Sequence, residues 1–126
     1  MNTKLVLALR VLLGLLLIVF GSNKFIGFLP DFEFANPNAA VLFEALADSY
    51  ILKTVGFIEV IVGLFLVSNK IVPFALTLMA PISVNIIMFH ATLDPANIGP
   101  GVFVFLVNAV LIYAYWNSFK NLFKKT

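Results

Sequence analysis

Cysteine is absent from this chain of 126 residues, and charged side chains make up only 11% of it. Without cysteine there are no disulfides, thiolate nucleophiles or iron–sulfur ligands, so electron transfer would depend on a cofactor, a quinone, a substrate or a partner. The single histidine argues against a metal centre, because such sites usually take roughly three or four ligands. Eight scattered lysines and arginines do not form the clustered basic face that nucleic acid requires.

Apolar residues make up 62% of the chain, and its mean hydropathy is +1.07. A bilayer is the solvent that fits this composition. Four apolar stretches cover residues 5–25, 50–67, 71–90 and 102–116, and about 20 helical residues span a hydrocarbon core of about 30 Å. We therefore predict an all-α membrane protein, a four-transmembrane-helix bundle forming one domain over residues 1–126, with helices at about 4–26, 49–68, 71–92 and 101–119.

The segment between the first two spans predicts a short amphipathic helix over residues 38–49. Asn38 is suited to cap it, and one apolar face lies opposite Glu44 and Asp48; the face consists of Val41, Leu42, Ala45 and Leu46. We expect this helix to lie along the membrane surface and to cover one end of the bundle.

Loop charges predict the orientation of the chain. One side of the predicted bundle collects six basic residues, which are Lys4, Arg10, Lys70, Lys120, Lys124 and Lys125. The other side has only Lys24 and Lys53, together with five of the acidic residues. Basic residues favour the cytoplasmic side, so both termini are predicted to be cytoplasmic.

Two helix faces combine glycine with charge. The first span repeats along one face at Arg10, Gly14, Leu17, Gly21 and Lys24, and the second repeats along one face at Leu52, Gly56, Glu59, Gly63, Leu66 and Lys70. Glycine lets helices approach closely, so we expect these faces to meet. The rise per residue favours an Arg10–Glu59 ion pair inside the bundle. Such a pair either marks a functional site or only fixes helix register.

Further polar residues lie in the third and fourth spans. Asn85 and Asn108 are both predicted near the middle of the bilayer, as part of a polar site or as amides that link helices. Pro81 removes one backbone hydrogen bond and predicts a kink. His90 lies four residues before Asp94, so the two can touch if the helix continues, either as a proton-handling pair or as a surface contact.

These residues together resemble the DoxX family of membrane proteins. The resemblance rests on Arg10, Gly14, Gly21 and Lys24, on residues 56–66, and above all on three short segments, residues 72–76, 80–90 and 93–95. It implies a four-helix bundle in a bacterial-type inner (plasma) membrane, associated with oxidoreductase systems. One branch of the family is linked to the transfer of electrons to quinone. The implied polar positions are Arg10, Lys24, Glu59, Asn85 and His90.

Two functions follow as hypotheses. In the first, the chain is a subunit of a membrane redox system that binds a quinone or a small anionic substrate in a polar cavity. In the second, it is a non-enzymatic protein that binds lipid or another small molecule, or a helper protein. The expected partners are the lipid bilayer, membrane or peripheral redox subunits, and a second copy of the chain. The candidate cavity residues are Arg10, Lys24, Glu59, Asn85, His90 and Asn108.

Overall fold

A computed structural model describes residues 1–31 and 33–125, and these residues are almost entirely helical. The α-helices in these ranges are α1 Thr3–Ile26, α2 Pro37–Asp48, α3 Ile51–Ser68, α4 Val72–Leu93, α5 Gly99–Ala114 and α6 Trp116–Phe119. Short 3-10 helices cover Pro95–Asn97 and Lys120–Phe123. The structure therefore confirms the prediction of an all-α chain.

The ends of the long helices follow from local chemistry. The Asn2 side chain accepts hydrogen bonds from the first turn of α1, and Gly27, with φ of 71°, ends that helix in a left-handed conformation. Asn69, with φ of 58°, ends α3 in the same way. The helices α1, α3 and α4 begin and end within two residues of the predicted ranges. By contrast, α5 ends at Ala114, before the predicted end near residue 119, because the chain bends by 77° there.

The α2 helix and its cap begin two residues earlier than predicted. Asn36, not Asn38, provides the cap, and its side chain accepts a hydrogen bond of 2.9 Å from the Asn38 backbone N–H. Pro37 explains the difference, because proline has no N–H to lose in the first helical turn. Ala39 is buried, whereas Val41 and Leu42 are exposed. Part of the predicted apolar face of α2 therefore points away from the other helices.

Glycines set the packing of α1 against α3. A Cβ atom added at Gly63 would lie 2.5 Å from the Gly14 carbonyl oxygen, and one added at Gly21 would lie 2.6 Å from the Gly56 carbonyl oxygen. These distances leave no room for a side chain, so the two backbones are in direct contact at both levels. The predicted meeting of the two glycine faces is confirmed.

The buried apolar core lies between α1, α3, α4 and α5. Its central members are Leu13, Leu17, Val62, Leu66, Leu76, Met79 and Leu111. The helices α1, α3 and α4 are long and apolar enough to cross a membrane. In each of them only 28% of the most apolar stretch of 18 residues is buried within the protein. A fourth span results if α5 and the segment Trp116–Phe123 are counted as one bent span. The outward-facing apolar surface is that of a membrane-embedded helical protein.

The two ends of the bundle differ in the residues they carry. At one end, here called the terminal end, Met1, Asn69 and Ala114 line a common cleft, which brings the start of α1, the α3–α4 turn and the end of α5 together. At the opposite end, here called the loop end, the Asn97 side chain donates a 3.4 Å hydrogen bond to the Glu33 carbonyl oxygen. This bond joins the α4–α5 connection to the segment that follows α1.

Candidate functional site

An ion pair between a partly exposed lysine and a buried carboxylate joins α1 to α3 in the half of the bundle nearer the loop end. Lys24 Nζ lies 2.6 Å from Glu59 Oε1, and Glu59 is only 2% exposed. Lys24 also donates a 3.4 Å hydrogen bond to the Phe20 carbonyl oxygen one turn earlier in its own helix. The ammonium group is therefore held between the carboxylate and the α1 backbone.

The predicted Arg10–Glu59 pair is wrong, since Glu59 pairs with Lys24. The glycine contacts place Glu59 opposite Ile18 of the antiparallel α1, about 12 Å along the axis from Arg10 and about 9 Å from Lys24. Side chains on a helix lean toward its N-terminus. Lys24 and Glu59 therefore lean toward each other, whereas Arg10 leans away from the carboxylate. Depth along the helix axis does not contain this direction and therefore does not distinguish Arg10 from Lys24 as the partner of Glu59.

Arg10 instead binds the C-terminal turn of α3. It is 6% exposed, and its Nη1 donates a 3.1 Å hydrogen bond to the Leu66 carbonyl oxygen. The Lys70 backbone N–H, the usual partner of that carbonyl, donates to Phe65 instead. Arg10 thus donates to a carbonyl oxygen that has no intrahelical partner at the end of α3. Its positive charge also lies at the helix C-terminus, where the helix dipole favours a cation.

Arg10 also forms part of an open cleft of about 310 Å³ at the terminal end. Apolar side chains make up much of the wall, while Arg10, Asn69, Thr3 and Tyr115 are its polar members; the apolar members are Met1, Val6, Leu7 and Ala114. A second depression of about 250 Å³ adjoins it, since Met1 and Ala114 line both. This combination can hold an amphipathic molecule whose polar end accepts hydrogen bonds.

Asn108 links α5 to α4 in the core. It is 2% exposed, its Nδ2 donates to the Leu76 carbonyl oxygen at 3.4 Å, and its Oδ1 accepts from Ser83 Oγ at 3.4 Å. Ser83 is itself 1% exposed, and its one hydroxyl proton is shared between Asn108 Oδ1 and the nearer Ala80 carbonyl oxygen, which lies 2.8 Å from Oγ. Of the two roles predicted for Asn108, the geometry is that of an amide linking helices. Ser83 had no sequence pattern to mark it.

Asn85 lies on the outside of the bundle. Its side chain is exposed and donates a 2.8 Å hydrogen bond to the Pro81 carbonyl oxygen in its own helix. Nothing in the described residues joins it to Asn108, although both residues had been predicted at a similar depth. The two asparagines therefore have different surroundings: one faces outward and the other faces the core.

A polar cluster at the loop end contains the only histidine. The predicted contact is confirmed: His90 Nδ1 lies 3.1 Å from Asp94 Oδ2, because α4 continues to Leu93. Asp94 is 3% exposed, and Asn97 Nδ2 donates to both of its carboxylate oxygens at 3.0 Å. Asn97 was missed in the sequence because it lies in a 3-10 helix of three residues, which is too short to show a periodic pattern.

The six candidate residues thus occupy several places in the described structure. Among these six, the ion pairs and hydrogen bonds found in the described residues join Lys24 to Glu59. Arg10 lies at the terminal end, Asn108 lies in the α4–α5 interface, and His90 lies at the loop end. Of these groups, Arg10 combines burial with a position in the wall of an open cleft.

Comparisons with known proteins add no further assignment. No protein-family model matches the chain, and no curated protein or solved structure matches it. The resemblance to the DoxX family therefore stays a prediction based on the residues that suggested it.

Proposed function

We propose that this chain is a DoxX-like, multi-pass membrane protein and a subunit of a membrane redox system, which binds a quinone or a small anionic substrate in the Arg10 cleft. The single observation that carries the proposal is the Arg10 side chain, 6% exposed in the wall of an open cleft with apolar sides. In this proposal four spans form a bundle, α2 lies along the opposite membrane surface, and both termini face the cytoplasm of a bacterial-type cell.

The residues of the cleft fit a quinone headgroup. Quinone carbonyl oxygens accept hydrogen bonds, and a guanidinium has five N–H donors, of which Arg10 directs one hydrogen bond to Leu66 within the described chain. Val6, Leu7 and Ala114 supply apolar surface for the ring. A bound quinone would supply redox chemistry, whereas the chain would supply donors, orientation and partial exclusion of water. A small anion would use the same guanidinium.

A quinone-binding measurement on the purified protein in nanodiscs tests this proposal. Trp116 is the only tryptophan of the chain and lines the adjoining depression, so its fluorescence is a local reporter that a quinone can quench. We expect saturable quenching by a short-chain ubiquinone analogue. Arg10→Gln should weaken binding by about ten-fold, which corresponds to one charge-assisted hydrogen bond. Lys70→Gln, an exposed basic residue of the α3–α4 turn, is the control.

Ala114→Leu separates ligand binding from folding. Ala114 lines the cleft, and the larger side chain should fill it while leaving Arg10 and its bond to Leu66 in place. Loss of binding in both variants, with wild-type helix content, would support the proposal. Quenching that does not saturate, or that both variants leave unchanged, would contradict it.

A non-enzymatic role is the second candidate, and the intramolecular partners of the buried polar groups favour it. Glu59 pairs with Lys24, and Asn108 bonds to Ser83 and Leu76. These groups therefore hold the helices together. A lipid-binding or helper protein needs such contacts and needs no polar site for a redox substrate. Native mass spectrometry distinguishes this candidate: a retained phospholipid that Ala114→Leu removes, in a protein that does not bind quinone, would favour a lipid-binding protein.

A further inference from the structure

The last ten described residues, Trp116–Lys125, form a segment that differs in direction and composition from the long helices. Its helical part, Trp116–Phe123, is bent by 77° from α5. If α5 crosses a bilayer, a bend of this size places the segment close to the plane of the membrane surface. It carries three lysines and no acidic residue.

The segment is fixed to the bundle by one side chain and presents others outward. Phe119 is 7% exposed and belongs to the core cluster. Leu122 and Phe123 are more than 70% exposed, and the rings of Trp116 and Phe123 stack with centroids 5.5 Å apart. Apolar groups displayed beside a bundle end are suited to the boundary between headgroups and acyl chains, where tryptophan is also enriched.

The basic residues lie among these apolar groups. Lys120, Lys124 and Lys125 are all exposed, and the first two are four positions apart. Lysine side chains extend their charge toward water while their stems cover apolar surface. Exposed lysines at the depth of the headgroups attract anionic lipid. Lys4 and Lys70 are exposed at the same end of the bundle and add to the positive potential.

We propose that Trp116–Lys125 is an anionic-lipid binding segment, in which the three lysines bind phospholipid headgroups while Trp116, Leu122 and Phe123 enter the adjoining acyl region. The occupant is the headgroup of an anionic phospholipid in the same bilayer. The basis is charge complementarity combined with the apolar side chains and the bend, and it does not depend on whether the Arg10 cleft binds a quinone.

Brominated lipids test the proposal, because bromine quenches nearby tryptophan and Trp116 is the only tryptophan. The whole chain is reconstituted into vesicles of phosphatidylcholine with phosphatidylglycerol, in which one lipid or the other is brominated at equal mole fraction. We expect brominated phosphatidylglycerol to quench about two-fold more strongly than brominated phosphatidylcholine at low salt. The excess should fall as salt rises, because the screening length shortens to about 3 Å at 1 M.

Variants identify the groups responsible. The triple change Lys120→Gln, Lys124→Gln and Lys125→Gln should remove most of the excess quenching and leave only the part due to Lys4 and Lys70, while the corresponding triple change to arginine should retain the excess. Lys53→Gln, at the start of α3 and at the loop end, should leave the excess unchanged. Equal quenching by the two lipids in the wild-type protein would overturn the proposal, as would an excess that the glutamine variant leaves undiminished. The salt titration of the wild-type protein requires no variant to fold.

Discussion

Replacing Gly63 by alanine tests the packing of α1 against α3 directly. The added Cβ would lie 2.5 Å from the Gly14 carbonyl oxygen and 2.7 Å from Ile18 Cγ1, whereas ordinary contacts begin at 3.4 Å. A Cβ has no rotamer by which to avoid a backbone atom. The helices must therefore separate by about 0.9 Å at this level, and the separation also loosens the contacts around it.

The expected loss follows from these distances. Forcing extra volume into a closely packed interface costs about 1–3 kcal/mol. Alanine also favours the helix over glycine by at most about 1 kcal/mol, so Gly63→Ala alone would underestimate the steric effect. Gly99→Ala is a control for the clash alone, because a Cβ there meets nothing within 4 Å. Gly99 is the first residue of α5 and precedes Pro100, so it does not share the propensity gain of the helix-interior Gly63. After that gain is subtracted, we expect Gly63→Ala to be less stable than Gly99→Ala by about 1–2 kcal/mol.

Unfolding by sodium dodecyl sulfate in mixed micelles measures the difference. The chain has no native cysteine, so Lys4→Cys and Ser68→Cys can carry a donor and an acceptor dye without other labelling. Both positions are exposed, and energy transfer between them reports the separation of α1 from the end of α3. If Gly63→Ala is as stable as Gly99→Ala, the backbones do not approach as closely as the glycine contacts require, and the reasoning fails.

The same assay tests three further expectations. Lys24→Met should destabilise the bundle by about 3–5 kcal/mol because it leaves a buried carboxylate unpaired. Combining Lys24→Met with Glu59→Leu should recover most of that loss. A double variant that is no more stable than Lys24→Met would contradict this expectation. Asn108→Ala should lower the free energy of unfolding by about 1 kcal/mol. Asn85→Ala, on the exposed surface, should change it by less than about 0.5 kcal/mol. Equal effects of the two substitutions would refute the assigned positions. Asp94→Ala should lower the free energy of unfolding by about 1–3 kcal/mol because it removes a buried acceptor. Amide hydrogen exchange should become faster only in the α4–α5 connection. Unchanged exchange in that connection would contradict the role given to Asp94.

Sequence reasoning predicted the helices and the meeting of the glycine faces because both depend on one-dimensional patterns. Long apolar runs set the helix positions, and glycines at spacings of three and four residues mark one face. The partner of Glu59 could not be obtained by counting depth alone, since the direction in which the side chains lean decides between Lys24 and Arg10. The antiparallel register of α1 and α3, combined with the direction in which the side chains lean, is enough to predict Lys24 as the partner of Glu59.

Other features require the tertiary arrangement. Asn85 and Asn108 are the same residue type in equally apolar stretches of the sequence, yet Asn85 is exposed and Asn108 is buried. Their burial depends on which neighbouring helix packs against each face. The role of Arg10 depends on where α3 ends, because its acceptor is a carbonyl of that last turn. The bend after α5 was also missed, since Tyr115 carries no breaker signal of the kind that glycine or proline gives.

The distribution of hydrogen-bond donors supports the ligand site proposed at the terminal end. In an apolar medium each buried polar group needs a partner. Lys24 and Glu59 form an ion pair in which Glu59 Oε1 accepts no well-aligned hydrogen bond from the described residues, while Asn108 bonds to Ser83 and to the backbone. Arg10 differs, because a guanidinium has five donors and it lies in the wall of an open cleft. Substitutions at Glu59 should therefore change stability before ligand binding, and substitutions at Arg10 should change ligand binding most.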